Sequence, residues 1–220
     1  MKRISILMLL VALIAYGCEK QELQPTGNDK KSEKVVSKGY LLNISDDITS
    51  LEMKDLVLQE FEINPEFSTL KNGNSAHTHG SWLSNNGSTY FSWSGTENNG
   101  GPHGSAYVEF GANNPATSIK VNLETECVMV IENEAVYGGT VVSSENAPPF
   151  LPFFNPGWHM YFKVIDNGQG NNAPPDQFGS LIVFSAPEQS NCGVLTPDNP
   201  FWSILPAIDI LPPGSVKVNN

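Results

Sequence analysis

Positive charge is scarce in this chain. Its 220 residues carry 12 Lys and Arg against 23 Asp and Glu, a formal net charge of −11. A surface of that sign repels phosphate backbones and anionic headgroups, which argues against nucleic acid as a partner. Cysteine is scarcer still, at Cys18, Cys127 and Cys192 only. Beyond the first 17 residues no apolar run is long enough to cross a bilayer as a helix. The chain has no G-x-S-x-G elbow, no phosphate-binding glycine loop opening a helix, and no internal repeat. Neither Cys127 nor Cys192 sits in a nucleophile motif. These absences remove the commonest routes to nucleophilic catalysis and nucleotide use. Glycosidase-type carboxylate pairs stay open, because acidic residues are plentiful and only their separation decides.

What is present begins at the N-terminus. Lys2 and Arg3 precede an apolar run from Ile4 to Tyr16, and Ala15-Tyr16-Gly17 places small residues before Cys18. This pattern is a signal peptide over residues 1–17. A cysteine directly after the small-residue site resembles the lipobox of bacterial lipoproteins, with Ala15 standing where Leu is commonest. The resemblance implies cleavage before Cys18 and acylation of Cys18. The rival reading is a plain secretory signal with Cys18 a bystander. Acyl chains contribute about 0.8 kcal/mol per buried methylene, so several together hold a domain on a membrane. The expected address is therefore the cell envelope, anchored by lipid to the outer membrane on its periplasmic or surface face. Residues 18–38 follow as a lipidated N-terminus and polar linker, too poor in large apolar side chains to offset its ordering entropy. Removing residues 1–17 leaves ten basic against 23 acidic residues, a formal −13.

Residues 39–220 have the length for one domain with a real core. Their pattern is β. YFSWS (90–94), SAYVEF (105–110), WHMYFKVID (158–166) and GSLIVFS (179–185) alternate between Gly, Asn and Pro breakers, and CVMVIENEAVYGGTVV (127–142) reads as two strands around a turn at 132–134. On 158–166, Trp158, Met160, Phe162 and Val164 share one face; His159, Tyr161 and Lys163 share the other, with His159 expected to face water. Leu51 to Phe61 fits either period. The expected fold is all-β, a single antiparallel domain, either a small barrel or a two-sheet sandwich, largely a meander. In a meander alternate connections share an end. If residues 117–131 form one strand, the 95–104, 132–134 and 166–177 connections lie together, while 143–157 and 186–214 lie opposite.

The segment VIDNGQGNNAPPDQ (164–177), with NEAVYGGTV (133–141), Cys192 and the closing GSVKV, resembles a family of secreted bacterial β proteins that pair a DNGxGxNAPPDQ loop with such a hairpin. The resemblance spans about residues 75–220. It implies a fold grouping and carries over no catalytic residue.

Read chemically, that loop offers Asp166, Asn171 and Asp176 as oxygen ligands on a glycine-rich backbone, which suits calcium. The spacing misses an EF-hand, since Gly168 and Gly170 stand at ligand positions. The competing reading is a hairpin connection in which Asp166 and Asp176 cap backbone amides. His77 and His79, two apart on a strand, project to one face, and with His103 near the same end a three-histidine zinc site is conceivable. Cys127 and Cys192 are an even pair for a disulfide in an oxidising compartment.

The remaining candidate surface is apolar. Residues 147–158 hold Phe150, Phe153, Phe154 and Trp158; residues 196–213 hold Phe201 and Trp202. Such proline-stiffened loops either form a patch for a partner or fold back as lids. The expected function is a lipid-anchored envelope binding module for a glycan or an envelope protein, with Trp82, Trp93 or Trp202 as a sugar platform. The alternatives are a structural or assembly component of the outer membrane and a metal-dependent hydrolase.

Overall fold

A computed structural model describes residues 35–43, 58–63, 75–84, 87–170, 172–179, 181–187, 190, 192, 195–199, 202, 209–212 and 214–219. The signal, Cys18, the linker up to residue 34, Asn171 and Phe201 lie outside the described residues. Twelve strands are described: β1 (Val35–Asn43), β2 (Leu58–Ile63), β3 (Ala76–Leu83), β4 (Thr89–Asn98), β5 (Gly101–Phe110), β6 (Ile119–Ile131), β7 (Glu134–Glu145), β8 (His159–Ile165), β9 (Asp176–Phe178), β10 (Leu181–Ser185), β11 (Asp209–Leu211) and β12 (Val216–Asn219). They form one antiparallel sheet curled into a half-barrel, so the expectation of a single antiparallel all-β domain holds. A 3-10 turn spans Pro152–Phe154.

β3 to β8 run as an uninterrupted meander, and the order then departs from it. β10 and β1 extend the sheet beyond β8 to an edge at β2, β12 lies outside β3, and β9 pairs with both β8 and β11. β2 takes the last part of the ambiguous 51–61 stretch as strand.

Period-two alternation decides the faces. Inward positions of β3 to β8 carry Trp82, Phe91, Trp93, Val108, Phe110, Val121 and Phe162, all buried. Their rings pack tightly: Trp82 stacks on Phe178 at 5.0 Å and 3°, and Phe91 and Trp93 meet Phe162 edge-on at 5.7 and 5.4 Å. Each such pair adds about 0.5–1.5 kcal/mol beyond area burial. Trp82 and Trp93 are thus core residues, which corrects the expectation that they form a sugar platform. The 147–158 loop folds back as a lid. Phe153 and Phe154 are fully buried against Phe184, and Trp158 rests on Tyr40, leaving Phe150 as the exposed aromatic of that loop.

β6 carries irregularities between Asn122 and Leu123 and between Thr125 and Cys127. Around the second, Thr125 bonds the core Tyr137 hydroxyl at 3.0 Å, whereas Glu126 meets His159 and Cys127 packs in a separate cluster. A bulge lets two consecutive residues face the same way. Here it gives the outer face of β6 both Glu126 and Cys127. That face is not wholly solvated: Cys127, Val136, Tyr161, Val183, Leu195 and Trp202 form a second, smaller core. Gly138 is required there, since a Cβ on it would stand 2.7 Å from Cys127 Sγ and from the Tyr161 ring.

Candidate functional site

Three polar clusters lie on this frame. The first is the 166–176 connection. Asp166 accepts the Gly168 N–H on Oδ1 at 2.8 Å and the Val218 N–H on Oδ2 at 3.0 Å. Asp176, fully buried, accepts the Asn167 N–H at 2.9 Å and the Val216 N–H at 2.9 Å. All four carboxylate oxygens therefore receive backbone amides. Val216 and Val218 belong to β12, whose other side pairs with β3. The loop thus supplies acceptors where a further strand would otherwise sit, and it closes that edge. Asn133 ties the same loop to the β6–β7 turn, donating from Nδ2 to the Asp166 carbonyl at 2.9 Å. This agrees with the meander expectation for that end of the sheet. Asp166 and Asp176 thus cap backbone amides, as the competing reading of this loop expects.

The second cluster is histidine. His77 and His79 project from β3 with rings 4.9 Å apart, and His77 Nε2 lies 2.8 Å from His79 Nδ1. His77 Nδ1 is 2.7 Å from the Thr96 hydroxyl. Burial, with His77 and Lys217 alongside, holds His79 below the usual imidazole value against an opposing pull from Asp166. In the strand register Thr96 stands between His77 and His103, and a Cβ on Gly100 would lie 3.5 Å from His103 Nε2. His103 thus leans toward its own turn. Among the described residues no group of three or more His, Cys, Asp or Glu is placed to hold a metal ion, so the expected three-histidine zinc site is not assembled.

The third cluster was not foreseen. His159 is buried, not solvated. Its Nδ1 lies 2.6 Å from Glu126 Oε2 and its Nε2 3.0 Å from the Pro187 carbonyl. Ser190 donates a short hydrogen bond to Glu126 Oε1, and the Thr140 and Tyr161 hydroxyls lie 3.4 Å from Oε2. The hydrogen bond that Glu126 accepts from the ring raises the His159 pKa, with burial opposing and the Pro187 carbonyl assisting. Burial alone would lift Glu126, but the bonds from His159 and Ser190 outweigh it and the carboxyl is held low. Serine, histidine and glutamate together invite comparison with a nucleophile triad. The geometry rejects it: Ser190 donates to Glu126 and not to the ring, and both ring nitrogens of His159 face other acceptors. The cluster is a clamp. Beside it Cys127 and Cys192 form a disulfide with S–S 2.03 Å, as the cysteine count suggested. Lys163 donates to the Pro197 carbonyl at 2.8 Å, and Trp202 Nε1–H to the Thr196 carbonyl at 3.0 Å. Together these bonds hold the described parts of 186–202 over the second core, and Trp202 is buried there instead of forming a platform.

The outer face of β3 to β5 is different in character. Tyr90 and Tyr107 lie with rings 6.2 Å apart, and the Tyr107 hydroxyl donates to Glu109 at 2.9 Å. Across the register Ser81 pairs with Ser92, Ser92 with Tyr107, and Tyr107 with Asn122. Ser81, Ser94, Ser105 and Asn122 are exposed.

Comparison of the chain with family models, with curated proteins and with solved structures gave no match.

Proposed function

We propose that this chain is a lipid-anchored cell-envelope protein whose β domain is a binding module, and that its ligand is a glycan lying across the outer face of β3 to β5. The observation that carries the reading is the composition of that face. Two tyrosine rings stand among serines and an asparagine at register-paired positions. Aromatic faces take the apolar side of a sugar ring, and small hydroxyls and amides take its edge hydroxyls. The concave side offers no comparable surface, because aromatic side chains fill it. The acidic balance of the chain is compatible with a neutral glycan. The lipid anchor rests on the 1–18 pattern alone.

The test is a glycan array probed with the full-length chain in detergent, repeated with Tyr90→Ala and Tyr107→Ala. Selective binding that falls about tenfold or more in either variant supports the reading, a loss of about 1.4 kcal/mol. An array without a hit, or binding that ignores both tyrosines, overturns it. In that event crosslinking through the exposed Phe150 tests the assembly role instead.

A further inference from the structure

We propose that His77 and His79 form a two-imidazole chelate for a divalent transition metal, with copper(II) the ion held most tightly. This site is independent of the glycan reading.

The pair is built, not incidental. β3 is held from below: Thr78, between the two histidines, points inward and accepts the Trp93 Nε1–H at 3.2 Å. At Gly80 a Cβ would stand 2.6 Å from the Trp93 ring and 2.7 Å from the Ser215 carbonyl, so the strand lies flat on its support. β3 is flanked on both sides by β12 and β4, which fixes its backbone. Both imidazoles therefore rise from a rigid element, His79 exposed and His77 half-buried.

The two rings already converge. His77 Nε2 and His79 Nδ1 are 2.8 Å apart in a hydrogen bond between the imidazoles, and the Thr96 hydroxyl lies 2.7 Å from His77 Nδ1. With the His77 Nδ1 proton donated to Thr96, its Nε2 accepts from His79 Nδ1–H. A metal takes the place of that shared proton: His79 moves its proton to Nε2, each ring stays neutral with one N–H, and no net proton is released. Imidazole nitrogens hold copper(II) more tightly than nickel(II) or zinc, which sets the expected preference. Water completes the set. Lys217, paired with His79 in the register, adds a like charge that weakens binding without blocking it.

The experiment titrates copper(II) alone into the full-length chain in detergent, followed by calorimetry and by the nitrogen hyperfine pattern in electron paramagnetic resonance. The expected result is one ion per chain with two nitrogen ligands. His77→Gln and His79→Gln each weaken binding about 100-fold, as loss of a chelate partner does. Thr96→Val weakens it about tenfold through loss of ring orientation. Lys217→Ala tightens it, and His103→Ala leaves it unchanged. Thermal unfolding of each variant checks that the fold is intact, and the exposed His79 keeps its variant informative if His77→Gln unfolds. The proposal is overturned if a variant carrying both His77→Gln and His79→Gln keeps the stoichiometry and the two-nitrogen signature. It is also overturned if the wild-type chain takes up no copper at about 100-fold excess, or if zinc binds as tightly as copper.

Discussion

Replacing Asp176 gives the sharpest test of how the 166–176 connection works. The carboxylate is fully buried and receives two backbone amides, from Asn167 and Val216, at 2.9 Å each. A hydrogen bond to a charged acceptor contributes about 1.5–3 kcal/mol, and a buried donor left unpaired costs about 1–3 kcal/mol. Asp176→Ala removes both bonds and leaves both donors, so we expect a loss of about 3–5 kcal/mol. Asp176→Asn is the more telling change. The amide keeps one acceptor but turns an NH2 toward the second N–H, so it should lose about 2–3 kcal/mol despite its matched shape. Stability of a single domain is typically about 5–15 kcal/mol, so both losses move a urea midpoint clearly. The same titration run with calcium and then with chelator separates capping from ligation. A resident calcium at 100 times its Kd would add about 2.7 kcal/mol. An amide-capping carboxylate responds to neither. Asp176→Asn within about 0.5 kcal/mol of wild type, or a midpoint that follows calcium, would refute the capping account.

Reduction of the Cys127–Cys192 disulfide, or Cys127→Ser, should cost about 4 kcal/mol for a closed loop of this size, and Trp202 fluorescence should shift red as its cover loosens; an unchanged spectrum counts against the second core. The His159 pKa is raised, so its contribution is whole below the ordinary value of 6.5 and is lost as pH rises through the higher folded value. Glu126 is held low, so its contribution is whole above 4.5 and is lost as pH falls through the lower folded value. Urea midpoints should therefore fall as pH rises above 6.5 and through the raised folded value, and His159→Gln should flatten that limb; a parallel slope in the variant rejects the clamp. Cys18→Ala should abolish incorporation of a labelled fatty acid and release the chain from the membrane fraction; retained label excludes the lipobox.

The meander from β3 to β8 was legible because apolar residues recur at every second position of most of its strands between breakers, and a one-residue slip would invert their faces. The closing pairings were not legible. β1 beside β10, and β12 beside β3, join strands far apart in sequence, and nothing local marks either partner. The outer face of β8 misled for a related reason. His159, Tyr161 and Lys163 read as a solvated face by type. Yet the segment tied by Cys192 covers them, and that cover is a long-range event. Glu126 was invisible as a site because the β6 bulge breaks the alternation that would have placed it. Its position beside Cys127 was the one available hint.

The oxygen-rich loop was read from composition alone, and composition cannot separate its two uses. A carboxylate offers the same lone pairs to a calcium ion as to a backbone amide. What decides is which donor the topology brings nearer. A curled sheet that stops short of a closed barrel leaves an edge strand with every second N–H unpaired, and those amides must find acceptors or water. β12 is such a strand, and Val216 and Val218 are the residues whose amides face away from β3. Asp166 and Asp176 meet them with one oxygen each and spend the other oxygen on the loop's own turns. Gly168, at φ 97°, supplies the left-handed backbone the first of those turns needs. The fold therefore creates a demand for acceptors at the place where the motif supplies them. Moving β12 away, by proline at Val218, should take from each carboxylate the donor that β12 supplies and leave that oxygen to water.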